Sequence, residues 1–196
     1  MSLPSGIAAE LKNILGSEGY LESEEDLRSF AYDLFANRKP DAVALPATVE
    51  EVSAVMRLCN QHHIPVYPRG SGTSLAGSPV PVLGGLVLCS SNKVLEVSVT
   101  DRLARVQAGC VTGNLQKAAA EKGLMYPPNP TSCLYSTIGG NVSTNAGGAS
   151  GAKYGVTRDY LLGLTVVLPG GEIVRMGNRC QKDVTGFDLP RLLCGS

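Results

Sequence analysis

Pro68 to Gly77 reads PRGSGTSLAG, with three glycines and three small hydroxyl residues in ten positions. Glycine lets a backbone approach a ligand closely and tolerates positive φ. Successive exposed N–H groups in such a turn form a concave nest for an anion. A second stretch, Ile138 to Gly148 (IGGNVSTNAGG), has the same small-residue chemistry about seventy residues later. One such loop alone reads as ordinary surface turns. Two of them point to a pair of loops that together hold the pyrophosphate of one bound dinucleotide.

The flanking residues predict the elements that must position these loops. Ile64 to Tyr67 is a short apolar run that reads as a buried strand feeding directly into the first loop. Before it, Ala42 to Leu45 reads as a strand, and Thr48 to Glu51 as a helix-capping box. Val52, Val55, Met56 and Cys59 then share one helix face. This is a βαβ unit, so its strands are expected to be parallel with a right-handed crossover. Ligands of open α/β sheets commonly sit beyond the C-terminal ends of such strands. Leu86–Cys89, Val94–Val99 and Leu103–Ala108 read as further strands, and Thr112 as the cap of a helix running to Lys122, with Gly123 at its end. Residues 126–152 carry almost no periodicity and read as a long functional loop. Leu161–Leu168, the turn Pro169-Gly170-Gly171 and Glu172–Met176 read as a hairpin. At the N-terminus, Ile7, Leu11, Ile14 and Leu15 repeat at helical spacing up to Gly16. Ser23 to Asp26 then opens a second short helix carrying Leu27, Phe30 and Leu34.

Composition excludes several classes of function. Seventeen basic and seventeen acidic residues cancel, which leaves no electrostatic case for nucleic acid or an acidic membrane surface. Apolar residues make up 43%, so disorder is not expected. No apolar run is long enough for a transmembrane segment. The N-terminus lacks the pattern of a signal peptide, so a cytoplasmic location is expected. The six cysteines form no C-x-x-C pair, and His62 and His63 are the only histidines. That pattern predicts reduced, mostly buried thiols and no metal site. His62 and His63 read as a helix end, and Lys153 as a solvated lysine.

Two familiar phosphate loops are absent. A Rossmann fingerprint needs G-x-G-x-x-G, but Leu75 stands where the third glycine would follow Gly70 and Gly72. A Walker loop needs G-K after its spacer, and Gly151-Ala152-Lys153 places Ala before the lysine. A nicotinamide- or ATP-binding domain is therefore a weak reading. Instead, PRGSGTSLAGSPVP (68–81), QAGC (107–110), YPPNPTS (126–132), TIGGNVSTNAGG (137–148), KYGVTRD (153–159), LGLTVVLPGGEIV (162–174) and KDVTGFDLPRLLCGS (182–196) run in order. With these motifs the chain resembles the FAD-binding domain of the vanillyl-alcohol oxidase / PCMH flavoprotein superfamily. Within it, the chain is similar to the branch that holds glycolate oxidase, D-lactate dehydrogenase and D-2-hydroxyglutarate dehydrogenase.

The resemblance implies an α+β fold of the PCMH type: two α/β lobes with FAD between them, preceded by short N-terminal helices. It implies an N-terminal helical segment over 1–36 and the FAD-binding domain over 37–196, with a first lobe at 40–100 and a second at 101–196. Arg69, Gly70, Ser71, Gly72, Thr73 and Ser74, with Gly77 and Ser78, would wrap the pyrophosphate through backbone amides. Pro130 and Thr131 would lie near the ribityl chain or ring. Thr137, Ile138, Gly139, Gly140 and Asn141, then Asn145, Ala146, Gly147 and Gly148, would line the other side, and Tyr154 and Gly155 would add a further contact. Some relatives link FAD through a histidine in the first loop, where this chain has Thr73. Others use a cysteine six residues before the Gly-Gly pair, the position of Cys133, but this branch implies noncovalent FAD. Lys182 and Asp188 read as packing and loop-fixing residues.

In the family the pattern continues beyond the position of Ser196 into a further strand and a substrate-binding cap. A truncated product is therefore the expectation, with no catalytic residue assigned within these 196 positions and little turnover by them alone. The implied reaction is oxidation of a small 2-hydroxy acid by hydride transfer from Cα to flavin N5, with the substrate reaching the flavin through that cap. Implied partners are an iron–sulfur or other electron-transfer subunit, through which the protein would sit peripherally at a membrane. A non-catalytic flavin-binding or structural subunit of a multi-subunit oxidase remains the alternative.

Overall fold

The computed structural model describes residues 3–33, 37–91 and 93–195. The chain divides into two compact units, Met1–Ser91 with Val166–Val174, and Asn92–Thr165 with Arg175–Ser196.

The first unit is built on a four-stranded sheet of order β1-β2-β4-β3. These strands are β1 (Tyr20–Leu21), β2 (Ala42–Ala44), β3 (Val66–Arg69) and β4 (Leu86–Cys89). β2 and β3 run parallel to β4, and β1 pairs antiparallel with β2. The expected βαβ strands are thus parallel, but β4 lies between them. The short crossover makes them members of one sheet, and the pairing is set by the apolar run at Leu86, whose register the local pattern does not encode. β3 also starts two residues later than expected: the Ile64 N–H is tied back to the Cys59 carbonyl at the end of the preceding helix, at 2.9 Å, and pairing with β4 begins at Val66.

Side-chain alternation along these strands sorts the core into two faces. Ala42, Ala44, Leu86 and Leu88 pack with Ile7 and Leu11 of α1 (Ser5–Leu15) and with Val55, Leu58 and Cys59 of α3 (Val49–Gln61). Val43 and Val87 point to the opposite face, where Leu27 of α2 (Glu24–Ser29) covers them. A parallel sheet buried on both sides needs such uninterrupted apolar strands. Ser23 accepts the Asp26 N–H and Thr48 accepts the Glu51 N–H, as the capping signals require. The N-terminal region is not purely helical, since β1 adds an edge strand. α2 ends at Ser29, and Leu34 lies outside the described residues. Ser53, buried on α3, donates its hydroxyl to the Gly171 carbonyl at the hairpin tip, which belongs to this unit.

In the second unit, β5 (Val94–Ser98) and β6 (Leu103–Val106) form an antiparallel hairpin. α4 (Thr112–Ala120) packs on β5, and Lys122 Nζ donates to the Val97 carbonyl at 2.6 Å. Thr112 does not cap α4; Val111 holds that position without a side-chain bond, and the helix ends at Ala120. The Thr112 hydroxyl is drawn inward to stronger partners, described below. The stretch 126–152 is not a structureless loop either. It contains α5 (Ile138–Thr144), capped by Thr137, and leads into α6 (Gly151–Tyr154). A 3-10 turn follows at Thr157–Tyr160. β7 (Gly163–Val167) and β8 (Ile173–Gly177) pair as the expected hairpin. Asp188 caps α7 (Leu189–Leu193) by accepting the Arg191 N–H at 3.2 Å, the loop-fixing role expected of it.

All six cysteines are free: Cys59, Cys110 and Cys194 are buried, Cys89 and Cys133 half-buried, and Cys180 exposed. Burial pushes the Cys59 and Cys89 thiols up to about 11. Among the described residues no cluster of metal-ligating side chains occurs, and no helix is long and apolar enough to cross a membrane.

Candidate functional site

In the first unit, β3 ends at Arg69 and the chain turns at once into the glycine-rich loop. Gly70, Ser71, Thr73, Leu75, Ala76 and Ser78 are exposed, and Gly72, Ser74 and Gly77 half-buried. Within the loop, the Ala76 N–H is satisfied by Ser74 Oγ at 3.2 Å. The N–H groups of Gly72, Thr73, Leu75 and Gly77 take no acceptor among the described residues. Unpaired N–H groups grouped within six residues are the donor set that an oxyanion requires.

Arg69 does not belong to that exposed set. Its side chain is buried, at 7% exposure. Nη2 donates to the Tyr32 carbonyl at 2.8 Å, and Nη1 makes a longer contact to the Pro79 carbonyl at 3.5 Å. Burial lowers the guanidinium pKa, an effect partly opposed by Cys89, Tyr32 and Asp33. No other basic residue lies between positions 68 and 78. The loop therefore presents neutral backbone donors above a buried cation.

In the second unit, the candidate residues fall on a backbone knot around α5. Here the donors are mostly consumed. Ile138 N–H goes to the Cys110 carbonyl at 2.8 Å and Gly139 N–H to that of Ala108 at 2.7 Å. Gly140 N–H goes to Thr137 Oγ1 at 3.2 Å, and Asn141 N–H to the Thr137 carbonyl at 2.8 Å. The two glycine-rich segments thus differ in chemistry. The first offers open N–H groups, whereas the second uses those of Ile138 to Asn141 to fix the start of a helix.

Beyond α5, Asn145 turns left-handed at φ 48 and accepts the Arg158 N–H at 3.0 Å. Ala146 gives its carbonyl to Thr157 Oγ1 at 2.6 Å. Asn129 N–H binds the Gly147 carbonyl at 3.1 Å, which sets Pro130 beside Gly148. The N–H groups of Gly147 and Gly148 take no acceptor among the described residues. Tyr154 lends its carbonyl to the Tyr160 hydroxyl at 2.6 Å, and Lys153 Nζ stands 4.8 Å from the Tyr154 ring centroid on the surface. Tyr126 packs edge-on against Tyr160, and burial raises its hydroxyl to about 12. Pro130 is buried and Thr131 exposed. Within this unit, then, Pro130, Asn141, Asn145 to Gly148, Tyr154 and Gly155 are held in one bonded neighbourhood.

Two supporting residues carry no sequence signal of their role. Thr112 Oγ1 donates to the Ser136 carbonyl at 2.9 Å and accepts from Asn141 Nδ2 at 2.7 Å, with every atom of Thr112 buried. Gln116 Nε2 donates to the Pro128 carbonyl at 3.0 Å. Each is a polar residue in the first turns of α4, where a cap or a solvated side chain is the ordinary expectation. Only the tertiary approach of 128–141 gives them partners.

Comparison with known proteins shows the family of this chain. Residues 40–177 match the family described as FAD binding domain. The chain is 43% identical over 194 residues to glycolate oxidase subunit GlcD of Bacillus subtilis (strain 168), covering 97% of this chain and 41% of that protein. It is 40% identical over 177 residues to the D-lactate dehydrogenase of Anaerostipes hadrus, covering 89% and 37%. Among solved structures, alkyldihydroxyacetonephosphate synthase superposes with a TM-score of 0.83 at 23% identity, covering 99% of this chain and 41% of that one. The chain spans about two fifths of the length of the curated relatives it matches.

Proposed function

The chain belongs to the FAD binding domain family, and from that premise we propose that it holds FAD for the oxidation of a small 2-hydroxy acid of the glycolate or D-lactate kind. The observation that carries this reading is the run of open N–H groups at Gly72, Thr73, Leu75 and Gly77, just past the C-terminal end of a parallel strand. Those donors fit a diphosphate, which needs several neutral hydrogen-bond donors and no lysine. When bound, FAD supplies the two-electron acceptor for the hydrogen at the substrate's Cα.

The chain's own residues bind and orient. Gly70 to Ser74, with Gly77 and Ser78, grip the diphosphate. Pro130 and Thr131 support the ribityl chain or ring. Thr137 to Asn141, Asn145 to Gly148, Tyr154 and Gly155 form the remaining wall. Because α5 uses its first N–H groups internally, that wall acts through side chains and through the N–H groups of Gly147 and Gly148. The cofactor is held without a covalent link: Thr73 offers no imidazole, and the branch that this chain resembles implies noncovalent FAD at the position of Cys133.

On the same reading the protein works with a partner that carries electrons onward. The GlcD relative is named as a subunit, which supports such an assembly. The complex would operate in the cytoplasm, reaching a membrane only through partner subunits.

Purification without added flavin tests the proposal. The expected product is yellow, with an oxidised-flavin absorbance spectrum, and acid precipitation releases all of the colour as FAD. A colourless protein that takes up no FAD would refute the reading. Colour retained in the washed pellet would refute the noncovalent attachment.

A further inference from the structure

Arg69 is the one basic side chain in the first loop, yet it turns away from solvent. Its guanidinium spans two segments, reaching the Tyr32 carbonyl from the N-terminal region and the Pro79 carbonyl from the far end of the loop. Gly72 lies flat against it. A Cβ built on Gly72 would sit 2.2 Å from Nη2 and 2.6 Å from Cζ, at a φ of +72 that side chains rarely adopt. The guanidinium is therefore the floor on which the turn at Gly72 rests. The N–H groups of Gly72 and Thr73, which take no acceptor among the described residues, follow directly from that turn.

From this arrangement we infer that Arg69 is a positioning residue for the diphosphate-binding loop: its planar fork ties Tyr32 and Pro79 to the base of the loop and keeps the donors at Gly72 and Thr73 turned outward. The inference rests on the FAD reading given above and adds a specific residue to it. Its chemistry needs the fork, because two acceptors on different segments are met at once by a rigid guanidinium and not by the single ammonium of lysine. It also explains why a small residue is required at Gly72 independently of any ligand. The buried Asp33 carboxylate offsets part of the guanidinium's charge, so the role assigned to Arg69 is one of position rather than of charge.

The test is titration of flavin-free protein with FAD and, separately, with riboflavin, which lacks the diphosphate. Parent, Arg69→Lys and Arg69→Met proteins are compared, each with and without Gly72→Ala. Arg69→Lys keeps the charge and the aliphatic stem, so it is the variant best able to fold. FAD affinity is expected to fall about tenfold or more in Arg69→Lys, the size of one lost charge-assisted bond, while riboflavin affinity stays at the parent's value. Gly72→Ala is expected to weaken FAD binding more in the parent than in Arg69→Met, where the guanidinium no longer fills the space. Arg69→Lys binding FAD within twofold of the parent would overturn the inference, as would equal weakening for FAD and riboflavin. A parent protein that binds no FAD would instead sink the functional reading on which it rests.

Discussion

The Gly148→Ala variant is expected to unfold about 10 °C below the parent, the shift that a loss of roughly 3–4 kcal/mol gives in a protein of this size. Gly148 adopts φ +86, and a Cβ placed there would lie 1.9 Å from the Asn129 carbonyl oxygen and 2.8 Å from Pro130 Cα. Both are backbone atoms, so no rotamer change relieves the clash. The segment must shift, which disturbs the Asn129–Gly148 bridge and the bond from Asn129 N–H to the Gly147 carbonyl. Left-handed backbone costs a side-chain-bearing residue about 1–2 kcal/mol, and overpacking adds about 1–3 more. Gly123→Ala is the control. It has φ +70 but nothing within 4 Å of an added Cβ, so only the backbone cost of about 1–2 kcal/mol applies. Scanning calorimetry of both variants measures the difference. A Gly148→Ala midpoint no lower than that of Gly123→Ala would show that the tight approach of 129 and 148 does not exist in solution.

The second large effect is expected at Thr112. Valine matches threonine in shape but removes the hydroxyl that joins the Ser136 carbonyl to Asn141 Nδ2. Asn141 and Ser136 are buried, so neither can turn to water. Stranding a buried donor and weakening a buried acceptor costs about 2–4 kcal/mol, well above the net value of a typical hydrogen bond. Thr112→Ser keeps the hydroxyl and loses a methyl group, at about 1 kcal/mol. The urea midpoint is expected to fall about two to four times further for Thr112→Val than for Thr112→Ser, on the ratio of those costs. Equal losses would mean that the hydroxyl network carries no stability. The same variant tests whether α5 must be anchored for flavin to bind, because Asn141 belongs to the proposed cofactor wall.

Much of this architecture is readable from local pattern. Helix caps at Ser23 and Thr48, the stop at Gly16, the strand at Leu86–Cys89 and the hairpin around Pro169-Gly170-Gly171 each depend on residues within a few positions of one another. What escapes depends on distant partners. Tyr20–Leu21 is too short to show alternation, and becomes a strand only because β2 offers an edge. Ile138–Thr144 contains two glycines and three β-branched residues, poor helix formers all. It is helical because Thr137 caps it and the Ala108 and Cys110 carbonyls receive its first N–H groups. The placement of β4 between β2 and β3 likewise depends on long-range register.

The candidate site shows the same division. Residue types at 69–78 suggest an anion-binding turn, and the N–H groups of Gly72, Thr73, Leu75 and Gly77 take no acceptor among the described residues. They give no sign that the Arg69 side chain faces inward, since an arginine beside glycines reads equally well as a direct phosphate contact. The small residues at 138–141 look like a second nest, yet their N–H groups are already bonded within the protein. Small-residue composition reports where backbone approaches something closely. Whether that something is ligand or protein is decided by the fold.

The most direct measurement of the central claim is an amide-resolved NMR titration of the protein with FAD. The account predicts large downfield amide-proton shifts at Gly72, Thr73 and Leu75, as open donors meet phosphate oxygen, with small changes at Gly139 and Gly140. Tight FAD binding that leaves the amides of Gly72, Thr73 and Leu75 unmoved would contradict it.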